Sequence, residues 1–450
     1  MTSTPLSVEG RLVAVAGAAR SGIAAARLLA GHGARVVLSD VRPSVPDAEP
    51  LRAIGVDLEL GGHQMDTFAR ADLVVTSPGV PPEQPVIAAA RRAGVPVIGE
   101  LELASRWARG RIVAITGTKG KSTTTELTGR MLEAAGHQVT VGGNIGAPFS
   151  AQVDRSTPET LHVVEASSFQ LEQIVTFRPW IAVLLNFSPD HLDRHPSVEA
   201  YAAAKARIFE NQEASDWAVV NADDPFVIAM ANRGRAAVRR FSRHSSIADG
   251  TIVEDGWIVD RRLAANERLV PLDAIHLLGP HLVDDVMAAA TVGRIAGVAP
   301  AAMTAAVESF AGLEHAMERV ANIDGVLFVN DSKATNVEAA LRAIESFDGG
   351  LVAILGGRFK GGELSRLRAP LAARARAVVA IGEARPLLHE ALEGAVRVVD
   401  APSLEAAVET AFGLARPAGV VLLAPACASF DMFADYAERG RRFKSAVKAL

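Results

Sequence analysis

The chain is poor in several things, and each shortage removes a class of protein. It has one cysteine, Cys427, in 450 residues, so an internal disulfide framework and a cysteine-based zinc site are excluded. Aromatic residues make up 5%, which leaves Ala, Val, Leu and Ile to build the core. No apolar run reaches the ~18 residues that suggest a membrane span, and the N-terminus carries no signal-peptide pattern. A cytoplasmic location with no direct membrane insertion is therefore expected. Positive charge is not in excess either: the net charge is −5, which argues against nucleic acid or an anionic membrane as a broad partner. With 49% hydrophobic and 22% charged residues the chain is globular, and its length predicts about three domains.

What is present centres on Arg111 to Ala135, RIVAITGTKGKSTTTELTGRMLEAA. Ile112 to Ile115 reads as a buried parallel strand. A turn, Gly117-Thr118-Lys119-Gly120-Lys121-Ser122, follows. Leu127, Met131, Leu132 and Ala135 then recur at helical spacing, and Gly136 marks a stop. Strand, glycine-rich turn ending in Lys-Ser, then helix is a phosphate-binding layout. The spacing is the short G-T-x-G-K-S-T form, since Ile115 stands where the longer loop needs a glycine. In such a loop the backbone N–H groups hold phosphate oxygens, Lys121 adds positive charge, and the Ser122 hydroxyl can bind Mg²⁺.

Earlier in the chain, Leu12 to Ala16, the turn Gly17 to Gly22, a helical stretch to Gly31, and a strand closed by Asp40 read as a βαβ unit. Ala19 occupies the middle-glycine position of a dinucleotide fingerprint. By itself the turn is either a diphosphate site at a helix N-terminus or a tight strand-to-helix turn without a ligand. A further strand runs into Ser77-Pro78-Gly79, and Val95 to Ile98 is read as another.

The middle of the chain holds Gly142-Gly143-Asn144-Ile145-Gly146, read as a flexible loop. Two buried strands follow, ending in Glu165-Ala166-Ser167-Ser168-Phe169-Gln170 and in Asn186-Phe187-Ser188-Pro189-Asp190-His191. Polar clusters at the C-terminal ends of parallel strands lie where open sheets bind ligands, and Glu165 and His191 there can reach a cation beside the phosphates. Lys205 falls on an Ala-rich helix, where a lysine is ordinarily solvated. Arg239 to Leu269 reads as short strands and turns with no chemistry. In the last third, strands run into Asn330-Asp331-Ser332-Lys333-Ala334-Thr335-Asn336, into Gly356-Gly357-Arg358-Phe359-Lys360, and into Ala424 to Asp431. Alternating strands and helices predict a second doubly wound sheet. Lys333 by itself is a surface lysine at a helix N-terminus, and Cys427 is a small buried thiol.

Taken together, GTKGKST, GGNIG, EASSFQL, PDHLDRH, Lys205, NADDP, NDSKATN, LGG-x-x-K and APACASFDMF resemble the Mur ligase superfamily, the ATP-dependent, ADP-forming amide ligases. NDSKATN with the ACAS-x-D stretch is the most specific pair, and it points to the branch that adds D-glutamate. No DNPR-type motif of the ligases for the third stem-peptide residue is present. The resemblance implies an α/β protein of three domains: residues 1–99, Rossmann-like and binding a UDP-substrate; 100–312, a P-loop-type ATPase domain with a mostly parallel sheet; and 313–450, Rossmann-like and binding the amino acid. It implies ATP, D-glutamate and UDP-N-acetylmuramoyl-L-alanine as substrates, with an acyl phosphate and a tetrahedral intermediate. A monomer is expected.

Residue by residue, the resemblance assigns ATP to Gly117, Thr118, Lys119, Gly120, Lys121, Ser122, Thr123 and Asp331. It assigns the UDP-substrate to Ser21, Asp40, Arg42, Ser77, Pro78, Gly79, Asn144 and His191. D-glutamate falls to Thr335, Lys360, Ser429 and Phe430. One Mg²⁺ is implied at Ser122 and Glu165, and a second at His191 and a carbamoylated Lys205. Lys121, His191, Lys205 and Lys333 form the implied catalytic set.

Several positions depart from the family pattern. Lys119 stands where Asn is usual, Leu282 follows His281 in place of Asn, Asp285 replaces a second Asn, Ala316 follows His315 in place of Arg, and Tyr436 replaces Phe. One hypothesis is that Lys119 supplies the cation lost at Ala316; Lys119→Asn with unchanged ATP KM and kcat would remove it. Two other readings stand beside the D-glutamate ligase: a sister ligase for another amino acid, and a catalytically weak nucleotide-binding paralogue.

Overall fold

The computed structural model describes residues 6–45, 47–191, 194–262, 265–276 and 281–450, with Ala265 and His281 as backbone only. Leu192 and Asp193 of the PDHLDRH motif and the His281 side chain lie outside the described residues. The chain forms two compact bodies, one of Met1–Ile275 with Val283–Ser309 and one of His276–Leu282 with Phe310–Leu450.

The first body contains two sheets. The smaller has the order Val56–Leu60, Arg35–Asp40, Leu12–Ala16, Leu73–Thr76, Val97–Gly99, all parallel. Its order reverses about Leu12–Ala16, so the crevice at the C-terminal ends of Leu12–Ala16 and Leu73–Thr76 is a topological switch point. The helix Arg20–Gly31 starts there without a side-chain cap. Gly22 is needed at its start, because a Cβ would sit 1.8 Å from the Gly17 carbonyl oxygen and 2.6 Å from Ser77 Oγ.

The larger sheet has nine strands in the order Ala265–Pro271, Trp257–Arg262, Gly250–Glu254, Ala237–Ser242, Trp217–Asn221, Ile181–Leu184, Arg111–Thr116, Leu161–Glu165, Val139–Gly143. The last three named before Val139–Gly143, and the strands out to Gly250–Glu254, pair in parallel, while the two outermost strands at the other end are antiparallel. Thus the strands between Arg239 and Leu269 extend the nine-stranded sheet. The register is level: Ile115 lies opposite Glu165, and Thr116 opposite Leu184. The loops beginning at Gly117, Ala166 and Leu185 therefore leave one sheet edge together.

The second body has a six-stranded sheet, ordered Glu318–Ile323, Val326–Asn330, Gly419–Leu423, Leu351–Gly356, Ala375–Ile381, Val398–Asp400. Asn330 pairs with Leu423 and Gly356 with Ile381, so the three loops singled out above leave the same end. The cores are aliphatic, as the composition requires: Val113, Ile115, Leu127 and Met131 behind the phosphate loop, and Ile344, Leu351, Leu355 and Leu422 in the second body, are all fully buried. Each such side chain contributes roughly 1.5–3 kcal/mol of transfer free energy.

The sequence reading of Gly142–Gly146 as a loop needs correction. Gly142 and Gly143 end the strand Val139–Gly143, and their lack of side chains leaves room for the Ala147 carbonyl, the Gln152 amide and Glu165. Glu318–Ile323, a half-exposed edge strand, also has too little apolar alternation to stand out in the sequence.

Candidate active site

The helix Lys121–Ala134 begins after Gly120, whose φ of +78° is open to glycine at little cost. A Cβ at Gly120 would also sit 2.0 Å from Asp285 Oδ1. Helix start and loop are thereby fixed with backbone N–H groups pointing outward. The loop is closed from the next strand: Asn186 Oδ1 accepts from Lys119 N at 2.9 Å, and Asn186 Nδ2 donates to the Lys119 carbonyl at 3.1 Å. Thr118 Oγ1 donates to the Ser188 carbonyl at 3.1 Å.

Beside the loop, Ser122 Oγ donates to Glu165 Oε2 at 2.7 Å, and Asn144 Nδ2 donates to Glu165 Oε1 at 2.6 Å. Glu165 is 1% exposed. A hydroxyl and a buried carboxylate in contact at a phosphate loop are hard oxygen donors, the set Mg²⁺ takes. Asn144 also lines the cleft described below, so it borders both places.

Lys205 is buried on the helix Val198–Ala206, and its Nζ donates to the Gly117 carbonyl at 2.7 Å. Lys121 Nζ donates to the carbonyls of Gly117 and Thr118 at 2.9 and 3.0 Å. Burial, then the neighbouring Lys121, hold the Lys205 amine well below the ordinary lysine range. Tyr201 stands between Lys205 and His191: Lys205 Nζ is 4.6 Å from its ring centre, and the His191 ring is 6.1 Å away on edge. His191 has φ +54°, a left-handed backbone that costs a non-glycine residue of order 1 kcal/mol and concentrates at functional sites.

The predicted UDP-substrate residues converge. Ser21, Asp40, Arg42, Ser77, Pro78, Gly79 and Asn144 line one cleft of about 500 Å³. His191 is not among its lining residues. The Asp40 carboxylate is committed: it accepts from Ala18 N at 2.6 Å and from Arg42 N, Nε and Nη2 at 2.9 Å each. The Arg42 fork lowers the Asp40 pKa, and the carboxylate aims the guanidinium instead of offering a free acceptor. Ser77 Oγ donates to the Gly17 carbonyl at 2.7 Å, which leaves its oxygen as an acceptor.

In the second body, Lys360 Nζ lies 5.3 Å over the Phe430 ring. Phe430 is exposed and Ser429 buried. Asp331 accepts from Met317 N at 3.1 Å, and burial raises its pKa to about 6. Lys333 is exposed and Thr335 half-buried on the same loop. Arg439 braces this end. Its Nε and Nη2 donate to Ser332 Oγ and the Ser332 carbonyl at 2.9 Å each, and Nη1 to the Cys427 carbonyl at 3.2 Å. Burial lifts the Cys427 thiol to about 12, so it is no nucleophile.

Three family models match in tandem: Mur ligase MurD-like, N-terminal domain, over 11–99; Mur ligase middle domain, over 115–293; and Mur ligase, glutamate ligase domain, over 315–427. The UDP-N-acetylmuramoylalanine–D-glutamate ligase of Acidobacterium capsulatum is 47% identical over 99% of this chain and 97% of its own. The chain belongs to the Mur ligase family. The enzyme of the same name from Geobacter metallireducens is 46% identical over 99% of both chains. Among solved structures, the UDP-N-acetylmuramate–alanine ligase of Thermotoga maritima matches with TM-score 0.61 at 18% identity, over 98% of this chain and 99% of that one. A pseudomurein peptide ligase type C from Methanothermus fervidus matches with TM-score 0.60 at 17% identity, over 98% and 100%. At that identity these two show the fold.

Within this Mur ligase fold, sequence reasoning missed the supporting residues. Asn186, Tyr201, Phe169, Arg194 and Arg439 hold the named residues in place, and each lies inside or a few positions beyond a quoted motif. Proximity to a motif was the available signal, but their partners are distant in sequence.

Proposed function

We propose that this chain joins D-glutamate to UDP-N-acetylmuramoyl-L-alanine at the expense of ATP, as an ADP-forming carbon–nitrogen ligase of peptidoglycan precursor synthesis. The contact of Ser122 with buried Glu165, beside a loop that gathers Lys121 and Lys205, carries the reading. The full-length relatives named as D-glutamate ligases support the choice of amino acid.

ATP lies with its phosphates on the N–H groups of Gly117 to Thr123. Lys121 leaves its loop carbonyls for the outer phosphate oxygens. Ser122 and Glu165 would hold one Mg²⁺, and His191 with carbamoylated Lys205 would hold a second. When bound, the ions neutralise the charge of the transferring phosphoryl group. The alanyl carboxylate takes the γ-phosphoryl group, giving an acyl phosphate and ADP. The D-glutamate amine attacks that carbonyl carbon, the tetrahedral intermediate loses a proton and expels phosphate, and an amide remains. Arg42 and the Ser77–Gly79 loop hold the UDP end. Lys360 binds a D-glutamate carboxylate, with Thr335, Ser429 and Phe430 shaping the site, and Lys333 and Asp331 face the nucleotide or the reacting groups.

Domains 1–99, 100–312 and 313–450 take the three substrates, consistent with one sheet in each. We place the enzyme in the cytoplasm as a monomer; no helix among the described residues is long and apolar enough to cross a membrane. The test is ATP-dependent phosphate release with UDP-N-acetylmuramoyl-L-alanine and a panel of amino acids. Turnover with D-glutamate alone is expected. Turnover with another amino acid would make the chain a sister ligase, and nucleotide binding without turnover would make it a non-catalytic paralogue.

A further inference from the structure

Arg194 takes no part in the chemistry above, yet it is attached at three points. Its backbone N–H and that of His195 both donate to the carbonyl of His191, at 3.0 and 2.9 Å, and His191 has φ +54°. Its guanidinium lies 4.9 Å over the Phe169 ring. That ring meets His191 edge-on at 5.2 Å and stacks on His195 at 5.2 Å. The far end reaches the smaller sheet: Nη2 donates to the Val80 carbonyl at 3.0 Å, and Nη1 stands 3.5 Å from the Gly79 carbonyl. Gly79 and Val80 line the substrate cleft, as does Gln170, next to Phe169. One residue thus joins the cleft loop to His191.

Arginine suits this task. A planar fork can address two successive carbonyls while its face lies on an aromatic ring, and a lysine ammonium cannot do both. Glu172 adds to the hold. Its carboxylate lies 3.1 Å from His195 Nδ1; burial raises its pKa, and the charge of Arg194 opposes that rise.

We propose that Arg194 is a positioning residue that locks the Ser77–Val80 loop to His191, so that the carboxylate of the UDP-substrate is presented beside that histidine. The identity of that substrate rests on the function proposed above; the lock does not. Among the described residues the hydrogen-bond and ring partners of Arg194 are His191, Phe169, Gly79 and Val80, not the phosphate-loop residues Lys121 and Ser122 or Glu165, so its loss is expected to spare ATP binding.

The test is steady-state kinetics of the full chain, with the KM of each substrate measured separately for Arg194→Ala and Arg194→Lys. Both variants are expected to raise the KM for the UDP-substrate and lower kcat, each by about tenfold, with the KM for ATP within about twofold of wild type. An unchanged KM for the UDP-substrate overturns the proposal. So does a uniform rise in all three KM values with a fall in Tm, or full function in Arg194→Lys. Calorimetry with UDP alone separates this from the functional reading. If the wild type binds UDP but never turns over, the ligase assignment fails, while equal UDP affinity in wild type and Arg194→Ala sinks the lock.

Discussion

Lys121 and Lys205 donate to one carbonyl oxygen, that of Gly117, at 2.9 and 2.7 Å. Two ammonium groups sharing an acceptor repel each other, and Lys205 is the buried member, 1% exposed. Burial first, and then this repulsion, lower the Lys205 pKa, which favours the neutral amine that CO₂ requires. In the proposed function, a carbamate there would add two oxygens for a metal and exchange a cation for an anion, which would remove the repulsion with Lys121.

The pH dependence has a definite sign. Lys205 is neutral above its lowered pKa and protonated below it, so a carbamate is expected to be favoured as pH rises and lost as pH falls. With ¹³C-bicarbonate, the wild type is expected to give a carbamate carbon signal that fades on acidification, and Lys205→Arg none. A signal of equal strength in Lys205→Arg would end the assignment. Turnover of Lys205→Arg is expected to fall at least about a hundredfold, since guanidinium stays charged and cannot take CO₂.

This buried amine also shows where sequence reading stops. Lys121, Ser122 and Gly120 were legible because a strand, a turn and a helix follow one another within a short stretch, and local order fixes their geometry. The level register that carries Glu165 to Ser122 was legible only as the general rule that parallel strands end together. Lys205 was different. On an Ala-rich helix nothing distinguishes a buried lysine from a solvated one, and the family resemblance alone singled it out. Arg194 and Arg439 were passed over because their partners, Val80 and Ser332, are more than a hundred residues away. Gly142 and Gly143 were misread because glycine marks both a loop and a strand packed too closely for side chains.

The contact of Ser122 with Glu165 makes a prediction about the metal. Each oxygen now satisfies the other, and a cation between them replaces that hydrogen bond. Ser122→Ala and Glu165→Gln are each expected to raise the Mg²⁺ concentration for half-maximal rate by about tenfold or more. In Glu165→Gln the Asn144 amide also faces an amide, so the KM for the UDP-substrate should rise as well. Titration of phosphate release against Mg²⁺ at fixed ATP checks both, and an unchanged half-maximal concentration would remove the pair as ligands.

Lys360 over the Phe430 ring makes a second. The ammonium is exposed, with an aromatic face beneath it, an arrangement that leaves its donors available for a carboxylate. Charge-assisted hydrogen bonds are worth about 1.5–3 kcal/mol. Lys360→Ala is therefore expected to raise the KM for D-glutamate by roughly 10- to 100-fold, with the KM for ATP and for the UDP-substrate little changed. Kinetics with each substrate varied in turn decide it, and an effect confined to the UDP-substrate would place Lys360 elsewhere.

Asp285 makes a prediction about stability. It is buried against Gly120, and its Oδ2 has no hydrogen-bond partner. Burial, reinforced by the adjacent Asp284, raises its pKa well above the usual carboxylate range against smaller opposing pulls from Thr124 and Lys121. The folded chain therefore keeps a proton that the unfolded chain releases near pH 4. Stability falls wherever the folded state binds more protons, so the contribution of Asp285 is whole below the ordinary carboxylate range and declines as pH rises toward its folded pKa. Asparagine has the same shape and no charge to bury, and it is the residue usual at this position in the family. Asp285→Asn is expected to match wild type near pH 4 and to exceed it in Tm by a margin that widens toward pH 8. Thermal unfolding of both proteins across that range is the measurement. Parallel Tm curves would mean that Asp285 is already ionised in the folded chain, with Lys121 rather than a proton meeting its charge.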